Sequence, residues 1–536
     1  MTWNAWLFEA KSIQEYLFAS GRLRDIIGGS ELVESLTGEL LDDVLEAAQV
    51  GEAITFSRRA GGAIYALSER EEAIHRLRDL CSLAVQQHAP GLRFESATGK
   101  GDTPLAAFDE ARRELQGPGG RLRPQRPATP PVAARSRRTG GAAVHWDRKD
   151  GPVDVATKAR KAHADAARAG LVDRVRPAGV DIGWRNWPLD METDFPFQGE
   201  NRTVALIHAD GNGFGQLLRN ARRAADAEPE RFPELFRRLS EAISGTTESA
   251  VQTAVNEVLL PEQDSAGMLP ARPIVVGGDD ITFLVRADLA LPFLRRFTEA
   301  FEAASRQALA DLAQAGITGE DLPQTLTVGA GCVFMRASQP FSMAHELVED
   351  LTDHAKRAGK AAEPVVSTVA FHRVTTALAG DYDAVLEREL TDTWAGVGYR
   401  QTLGAYAISE AANRRLPELD DLIALQGVME EPAMANGAAR ELLTLIGLAP
   451  GQARMRYQRW RRVAREDHDQ RPLLNGFDAC MERLLEGFDP ESADLPFGPG
   501  EVERATPLGD VLALKAVGSR CGRAGQGLET SREETA

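Results

Sequence analysis

The segment that most constrains the fold is 271–286, which reads ARPIVVGGDDITFLVR. A short apolar run at 274–276 precedes the GGDD sequence at 277–280, and a second, mostly apolar run follows at 281–285. Two such runs on either side of a Gly-rich turn predict a buried β-hairpin that carries two carboxylates at its tip. The glycines allow a tight turn and leave room for a large ligand.

The adjacent acids of this hairpin, Asp279 and Asp280, repel each other unless a cation neutralises them. Carboxylate oxygens suit hard ions such as Mg²⁺ or Mn²⁺. The alternative is an ordinary Gly-rich turn with solvated acids. A second acid favours the metal site, because the largely apolar strand predicted at 204–209 ends at Asp210 and is followed by glycines and a helix. Open α/β sheets present ligand sites at such strand ends, so Asp210 and the aspartate pair are predicted to meet on neighbouring strands.

A third motif follows the hairpin. A strand is predicted at 326–334, and a helix with an apolar stripe begins at Pro340-Phe341. This helix ends in HAKRAGK, which contains Lys356 and Lys360. Basic residues at a helix C-terminus either complement the helix dipole or contact an anionic ligand.

The first 70 residues repeat this order of elements. A strand at 3–8 leads into SIQEYLFAS, a predicted helix start with Ser12 as its cap and Glu15 three residues later. A second hairpin is predicted around Gly61-Gly62. If Gly61-Gly62 is aligned with Gly277-Gly278, Ala63 and Ile64 take the places of the two aspartates. The N-terminal half is then expected to bind no metal. The pattern indicates an internal duplication; two unrelated α/β segments are the alternative.

Composition limits the remaining possibilities. The chain has 536 residues, 43% of them hydrophobic, and a formal charge of −17, so it is long enough for several domains and its whole surface is not a nucleic-acid platform. Its four cysteines form no CxxC pair, which disfavours a zinc site or a disulfide framework and favours a reducing cytoplasm. It contains no signal peptide and no apolar run near 18 residues, so no membrane contact is expected.

Two basic stretches stand out in this acidic chain. The segment 117–150 is rich in Pro, Gly and Arg and includes the arginines between 121 and 138. It is predicted to be a connector, a contact with a partner subunit or an RNA contact. The segment 455–465, MRYQRWRRVAR, interleaves basic and aromatic residues, and either nucleic acid or an acidic protein neighbour could bind it.

The strand end Asp210-Gly211-Asn212, the GGDD hairpin and the N-terminal run IQEYLF…LRDIIGGSEL together resemble the large subunit of type III CRISPR effector complexes. That subunit is a relative of GGDEF diguanylate cyclases and class III nucleotide cyclases. The resemblance implies an α+β fold of two ferredoxin-like palm domains with a helical C-terminal domain. It also implies a form without an N-terminal HD nuclease, since the first palm is predicted to begin at residue 1.

The resemblance and the composition divide the chain into five parts. The first is a degenerate palm, the second a basic linker with a small module without zinc, and the third a palm with the GGDD site. A helical domain without strands and a disordered tail follow. In chain order these parts are residues 1–116, 117–201, 202–374, 375–517 and 518–536.

The resemblance also implies the functional residues. Asp210, Asp279 and Asp280 would be catalytic and would hold two Mg²⁺ or Mn²⁺ ions, and Lys356 or Lys360 would lie near a triphosphate. The family usually has a second aspartate where this chain has Asn212, which can offer an oxygen but no charge. The residues expected to bind nucleotide are Gly211, Asn212, Phe214, Gly215, Gly277, Gly278, Lys356, Lys360, Gly28, Gly29 and Ser30.

The implied activity is conversion of ATP to a cyclic oligoadenylate, with two nucleotides held between the palms. Two alternatives stay open: a scaffold subunit with little chemistry, and a GTP-using enzyme of the diguanylate-cyclase type. The intact GGDD sequence argues against the first, and the pairing of two palms in one chain argues against the second. The expected partners are CRISPR RNA and other effector subunits, or a second copy of the chain if it acts alone. The two basic stretches are the surfaces expected to contact a regulatory partner.

Overall fold

A computed structural model describes residues 2–117, 130–165, 170–198, 202–319, 322–375, 381–408, 416–431 and 436–518. Part of the basic linker, with Arg121, Arg123 and Arg126, lies outside the described residues, as does all but the first residue of the tail predicted to be disordered.

The strands are β1 (Trp3–Lys11), β2 (Thr55–Ala60), β3 (Ala63–Ser68), β4 (Arg93–Gly101), β5 (Ala143–Asp147), β6 (Gly151–Asp154), β7 (Thr203–Gly211), β8 (Ala271–Gly277), β9 (Asp280–Arg286), β10 (Val328–Arg336), β11 (Thr368–Arg373), β12 (Thr391–Trp394), β13 (Val397–Arg400), β14 (Ala405–Ala407) and β15 (Glu503–Ala505). The helices are α1 (Ile13–Phe18), α2 (Leu23–Thr37), α3 (Glu39–Ala48), α4 (Glu71–His88), α5 (Pro104–Gln116), α6 (Val155–Asp165), α7 (Gly170–Val175), α8 (Phe214–Ala227), α9 (Phe232–Ala254), α10 (Ala290–Gln314), α11 (Phe341–Lys360), α12 (Tyr382–Arg388), α13 (Leu419–Glu430), α14 (Asn436–Leu448), α15 (Pro450–Glu466), α16 (Arg471–Leu484) and α17 (Leu508–Val517).

The GGDD hairpin belongs to a six-stranded sheet with the order β14-β11-β10-β7-β9-β8. Strand β7 pairs antiparallel with both β9 and β10, whereas β10 and β11 are parallel. Residues 204–209 of β7 are all buried, as expected for a strand in the middle of a covered sheet. Helix α11 packs closely on β10, because a Cβ at Gly331 would lie only 2.4 Å from the carbonyl oxygen of Val348.

The N-terminal part forms a second, smaller sheet with the order β2-β3-β1-β4. This order corresponds to β8-β9-β7-β10 of the larger sheet, since in each a hairpin lies beside a strand that also pairs with the next strand in the chain. Helix α5 then follows β4 as α11 follows β10; it begins at Pro104, and the Thr103 side chain accepts a hydrogen bond from the Ala106 amide. The predicted α+β fold with two palm sheets is confirmed.

The register of the two hairpins corrects the sequence alignment by one residue. The last pair before the turn is Gly277 with Asp280 in the second palm and Ala60 with Ala63 in the first. Ala63 therefore corresponds to Asp280, and the glycine before it corresponds to the first aspartate. The prediction that Ala63 and Ile64 take the aspartate positions is wrong, because strand pairing rather than the Gly-Gly dipeptide sets the equivalence.

The same register reveals an acid in the first palm that the sequence comparison missed. Glu9 pairs with Ala63 as Asp210 pairs with Asp280. Lys11 and Tyr65 bond to the Glu9 carboxylate at 2.5 Å each. Although burial alone would raise the pKa of Glu9, these partners lower it. This carboxylate is therefore neutralised within the first palm.

The start of helix α1 differs from its prediction. Ser12 does precede the helix, but its φ of 50° lies in the left-handed region and its side chain makes no capping hydrogen bond. The predicted capping box of Ser12 and Glu15 is therefore absent, because a capping residue needs an extended backbone.

The two palms contact each other directly. A Cβ at Gly277 would lie 3.8 Å from the Cα of Gly61, so the two hairpin tips face each other. The Ser30 hydroxyl of α2 donates to the carbonyl oxygen of Ile274. Between the palms lies a cleft of about 710 Å³.

The intervening module consists of the β5–β6 hairpin followed by α6 and α7. Helix α6 packs across α2 of the first palm. A Cβ at Gly28 would lie 1.8 Å from the carbonyl oxygen of Arg160. Only a residue without a side chain allows these helix backbones to approach so closely.

The C-terminal part contains helices α12 to α17, but the expectation of no strands there is wrong. Strands β12, β13 and β15 form a three-stranded sheet, and β14 pairs with β11 at the edge of the second palm. These strands have only three or four residues each, too few to show an alternating pattern in the sequence. In the described residues, no helix has the length and apolar character needed to cross a membrane.

Candidate nucleotide and metal site

Three aspartates converge at one end of the second palm. Asp210, near the end of β7, is the direct cross-strand partner of Asp280, the first residue of β9. Asp279 occupies the turn between β8 and β9. Like charges directly opposite each other on paired strands destabilise a sheet, so the arrangement calls for a compensating cation.

Burial and mutual repulsion act on the two hairpin acids. Burial, followed by the charge of Asp210, raises the pKa of Asp279 to about 6. Burial, followed by the charges of Asp279 and Asp210, raises the pKa of Asp280 to about 7. These shifts indicate that the protein's own cations do not fully balance the cluster.

The hairpin tip is held by hydrogen bonds from two other elements. The Gly211 amide donates to the carbonyl oxygen of Asp279 at 3.0 Å, and the Thr247 hydroxyl donates to that of Gly278 at 2.7 Å. Gly278 has a φ of 56°, in the region that favours glycine. Sequence reasoning missed Thr247, because a threonine inside a helix carries no signal for such a contact.

Of the two predicted lysines, Lys356 lies at the carboxylates. Its Nζ is 2.6 Å from Oδ2 of Asp210, and its side chain is 17% exposed. A Cβ at Gly329 would lie 2.2 Å from Cγ of Lys356, so this glycine allows the lysine stem to cross the strand. Lys360, the last residue of α11, is exposed to solvent.

The loop after β7 is packed against the start of β10. The Asn212 amide donates to the carbonyl oxygen of Thr327 at 2.7 Å, and its Nδ2 donates to Oγ1 of the same residue at 3.2 Å. The ring of Phe214 covers Gly211, since a Cβ there would lie 2.0 Å from the ring, and Gly215 is exposed in the first turn of α8. Asn212 thus fastens the loop to β10.

The three N-terminal residues expected to bind nucleotide lie inside α2. Gly28 packs against the backbone of α6, and a Cβ at Gly29 would lie 3.0 Å from the Leu17 side chain. These positions give both glycines a packing function and do not support a nucleotide contact. Ser30 does line the cleft between the palms, and its hydroxyl donates to the Ile274 carbonyl oxygen.

The donor chemistry of the aspartate cluster fits a hard divalent cation, because three carboxylates converge, and burial together with neighbouring carboxylate charges raises the pKa of two of them. Across the described ranges, however, no group of three His, Cys, Asp or Glu side chains is already arranged to hold a metal ion. The Lys356 ammonium bonds to Oδ2 of Asp210. A cation at this site would therefore share or displace that contact.

A mixed sheet with acids at a strand end and a hairpin tip, and with a helix lysine beside them, defines a nucleotidyltransferase-like palm. Residues 203–362 match the family model described as Cas10/Cmr2, second palm domain. This segment is therefore similar to a palm of the Cas10/Cmr2 type, and the predicted resemblance to the type III CRISPR large subunit is confirmed.

Several solved structures are similar to the chain at low identity. A Csm1-Csm4 cassette in complex with pppApA matches at 12% identity and a TM-score of 0.46, over 97% of this chain and 69% of that one. A Csm1-Csm4 cassette with AMPPNP matches at 13% and 0.36, over 67% and 53%. Csm1 in T. onnurineus matches at 12% and 0.37, over 67% and 52%. In the last two matches, this chain spans about half the length of the solved protein. No curated protein sequence matches it.

Proposed function

We propose that the protein acts as the large subunit of a type III CRISPR effector complex and that its second palm converts ATP to cyclic oligoadenylate, releasing pyrophosphate. The observation that carries this proposal is the pairing of Asp210 with Asp280 across neighbouring strands, with Asp279 at the adjoining turn and Lys356 on Asp210. The cleft between the palms adjoins this cluster and is lined by Asp280 and Gly277.

The reaction would be nucleotidyl transfer. The 3′-oxygen of one nucleotide attacks the α-phosphorus of another, a new P–O bond forms, the bond from that phosphorus to the bridging oxygen breaks, and pyrophosphate leaves. The hydroxyl proton passes to solvent. Asp210, Asp279 and Asp280 would hold Mg²⁺ or Mn²⁺, which when bound lowers the pKa of an attacking hydroxyl and stabilises the leaving group. Lys356 would offset negative charge on the phosphates.

The test is incubation of the purified protein with labelled ATP and Mn²⁺. We expect a pyrophosphate-releasing reaction that is lost in the double variant Asp279→Ala/Asp280→Ala and on addition of EDTA, while the melting temperature shows that the variant stays folded. Unchanged turnover in the double variant would contradict the assignment of the site. Preference for GTP would favour the diguanylate-cyclase alternative, and nucleotide binding without turnover would favour the scaffold.

The first palm is proposed to bind no metal. Its turn residues at 61–62 are glycines, and its one equivalent acid, Glu9, already bonds to Lys11 and Tyr65. A crystal soaked in Mn²⁺ should give anomalous signal beside the second-palm aspartates. A strong peak beside Glu9 would refute this part of the proposal.

RNA and other effector subunits are proposed as the partners that activate the enzyme. The basic helix α15 offers a smaller free surface than its sequence suggests, because Arg461 pairs with Asp478 and Arg465 pairs with Glu491. Turnover should therefore be compared for the isolated chain and the native complex with a matching RNA. Equal activity in both would exclude control by partners.

A further inference from the structure

Strand β2 of the first palm carries two consecutive arginines whose surroundings differ. Arg59 is engaged within its own palm: its Nε donates to the Thr37 carbonyl oxygen at 2.7 Å, its Nη2 donates to that of Gly38 at 3.1 Å, and its guanidinium pairs with Asp42 at 2.7 Å. Its charge and its hydrogen-bond donors are therefore satisfied.

Arg58 has no such partner. Arg58 and Tyr65 are cross-strand partners in the β2–β3 hairpin. The Arg58 guanidinium lies over the Tyr65 ring, 5.8 Å from the ring centre. Among the described residues Arg58 forms no salt bridge, although its charge contributes to lowering the pKa of Glu9, after the opposing effect of burial and the bonds from Lys11 and Tyr65. A half-buried arginine without an ion pair, in a chain with a formal charge of −17, is a candidate anion-binding group.

Its position relates it to the carboxylates of the other palm. Nη2 of Arg58 is 3.6 Å from where a Cβ on Gly61 would stand, and the Cα of Gly61 is 3.8 Å from where a Cβ on Gly277 would stand. Gly277 is the strand partner of Asp280.

The other arginines around the cavity beside Arg58 are all paired, unlike Arg58. This cavity of about 470 Å³ lies between β2 and α9 and is lined by four arginines. Three of them are paired: Arg59 as described, Arg174 with Glu34 and Glu248, and Arg237 with Glu241. The fourth, Arg58, is therefore the arginine of this wall that forms no salt bridge among the described residues.

We propose that Arg58 of the first palm binds phosphate groups of a nucleoside triphosphate held at the aspartate hairpin of the second palm. The guanidinium fork matches two phosphate oxygens and keeps its charge at any physiological pH. The first palm, which lacks the aspartate pair, would thus contribute a cation to its neighbour's site. The proposal rests on the proposed function in that the triphosphate is the substrate of that site.

The experiment compares Arg58→Ala with Arg59→Ala, its matched control on the same strand. Binding of ATP and of adenosine is measured by calorimetry with Ca²⁺ present, and turnover is measured separately with Mn²⁺. We expect Arg58→Ala to weaken ATP binding roughly 10-fold or more, as for a charge-assisted hydrogen bond, and to leave adenosine binding unchanged. Arg59→Ala should bind ATP like the wild type, and Arg58→Lys should recover part of the affinity.

Wild-type affinity of Arg58→Ala for ATP would overturn the proposal, as would an equal loss of adenosine and ATP binding or an equal loss in Arg59→Ala. If Arg58→Ala fails to fold, Arg58→Gln, which keeps the stem over Tyr65, takes its place in the comparison. The binding measurement does not depend on catalysis. A wild-type protein that binds ATP but turns nothing over would refute the proposed function, while the affinities of the variants would still decide the role of Arg58.

Discussion

Lys356 is the basic side chain that pairs with the aspartate cluster of the second palm. Its Nζ lies 2.6 Å from Asp210, and its stem crosses the strand at Gly329. In this position the ammonium can balance either the carboxylate or a phosphate, but a cation bound by Asp210 would compete with it. Lys360, one turn further along the same helix, is exposed and provides a matched comparison.

Lys356→Ala should lower ATP turnover by about 100-fold or more, because a fixed charge beside the reacting phosphate is lost. Mn²⁺ binding should be retained or strengthened, since the cation no longer competes with the ammonium for Asp210. Turnover and metal titration by electron paramagnetic resonance separate the two effects. Lys360→Ala should behave like the wild type, and an equal loss of turnover there would contradict the assignment.

At the scale of elements, close helix contacts hold the intervening module on the first palm. Helices α2 and α6 approach at Gly28, where no space exists for a side chain. Gly427 also lies inside a helix, α13, but a Cβ there would meet no atom of another element within 4 Å. The two glycines therefore separate the effect of packing from the effect of helix propensity.

Gly28→Ala should destabilise the protein by roughly 1–3 kcal/mol through overpacking against the α6 backbone. Gly427→Ala should instead stabilise it by about 0.5–1 kcal/mol, because alanine favours the helix. Urea unfolding followed by circular dichroism measures both. A neutral Gly28→Ala variant would mean that the α2–α6 contact is looser than the structure shows.

At the scale of the whole molecule, one contact between the two palms depends on the protonation state of His345. The ring of His345 on α11 stacks on Phe18 of the first palm, with ring centres 4.3 Å apart. Burial, followed by the charge of His208, lowers the pKa of His345 to about 4, although Glu349 lies 3.6 Å away. The folded protein therefore favours the neutral ring.

Because the folded-state pKa of His345 lies below its unfolded value of 6.5, its contribution to stability is present above pH 6.5 and is lost as the pH falls from there to about 4. Between pH 7 and pH 5, this loss amounts to about 2 kcal/mol. His345→Phe should keep the stacking and lose this part of the acid sensitivity in urea unfolding. The same change at His75, whose side chain is 43% exposed, is the control; equal slopes for wild type and His345→Phe would refute the prediction.

Local patterns in the sequence were enough to predict much of the second palm. The apolar runs on either side of the GGDD turn, the acid at the end of the strand at 204–209 and the stripe of α11 each depend on periodicities that the strand or helix itself imposes. The meeting of Asp210 with the hairpin followed from them, whereas the α+β class was implied by the family resemblance. The short strands β12 to β15 did not, since three or four residues leave no periodic trace.

Tertiary structure alone decided how the distant parts of the chain meet. The pairing register of the first palm sets Ala63, and not Ile64, opposite Glu9, which is the equivalent of Asp210. This register depends on hydrogen bonds between strands that no single segment encodes. The same holds for the role of Gly28, which follows from a helix more than a hundred residues away. It holds as well for the neighbouring arginines 58 and 59, which have the same chemistry. Arg59 pairs with Asp42, whereas Arg58 lies beside Gly61 at the hairpin tip that approaches the second palm.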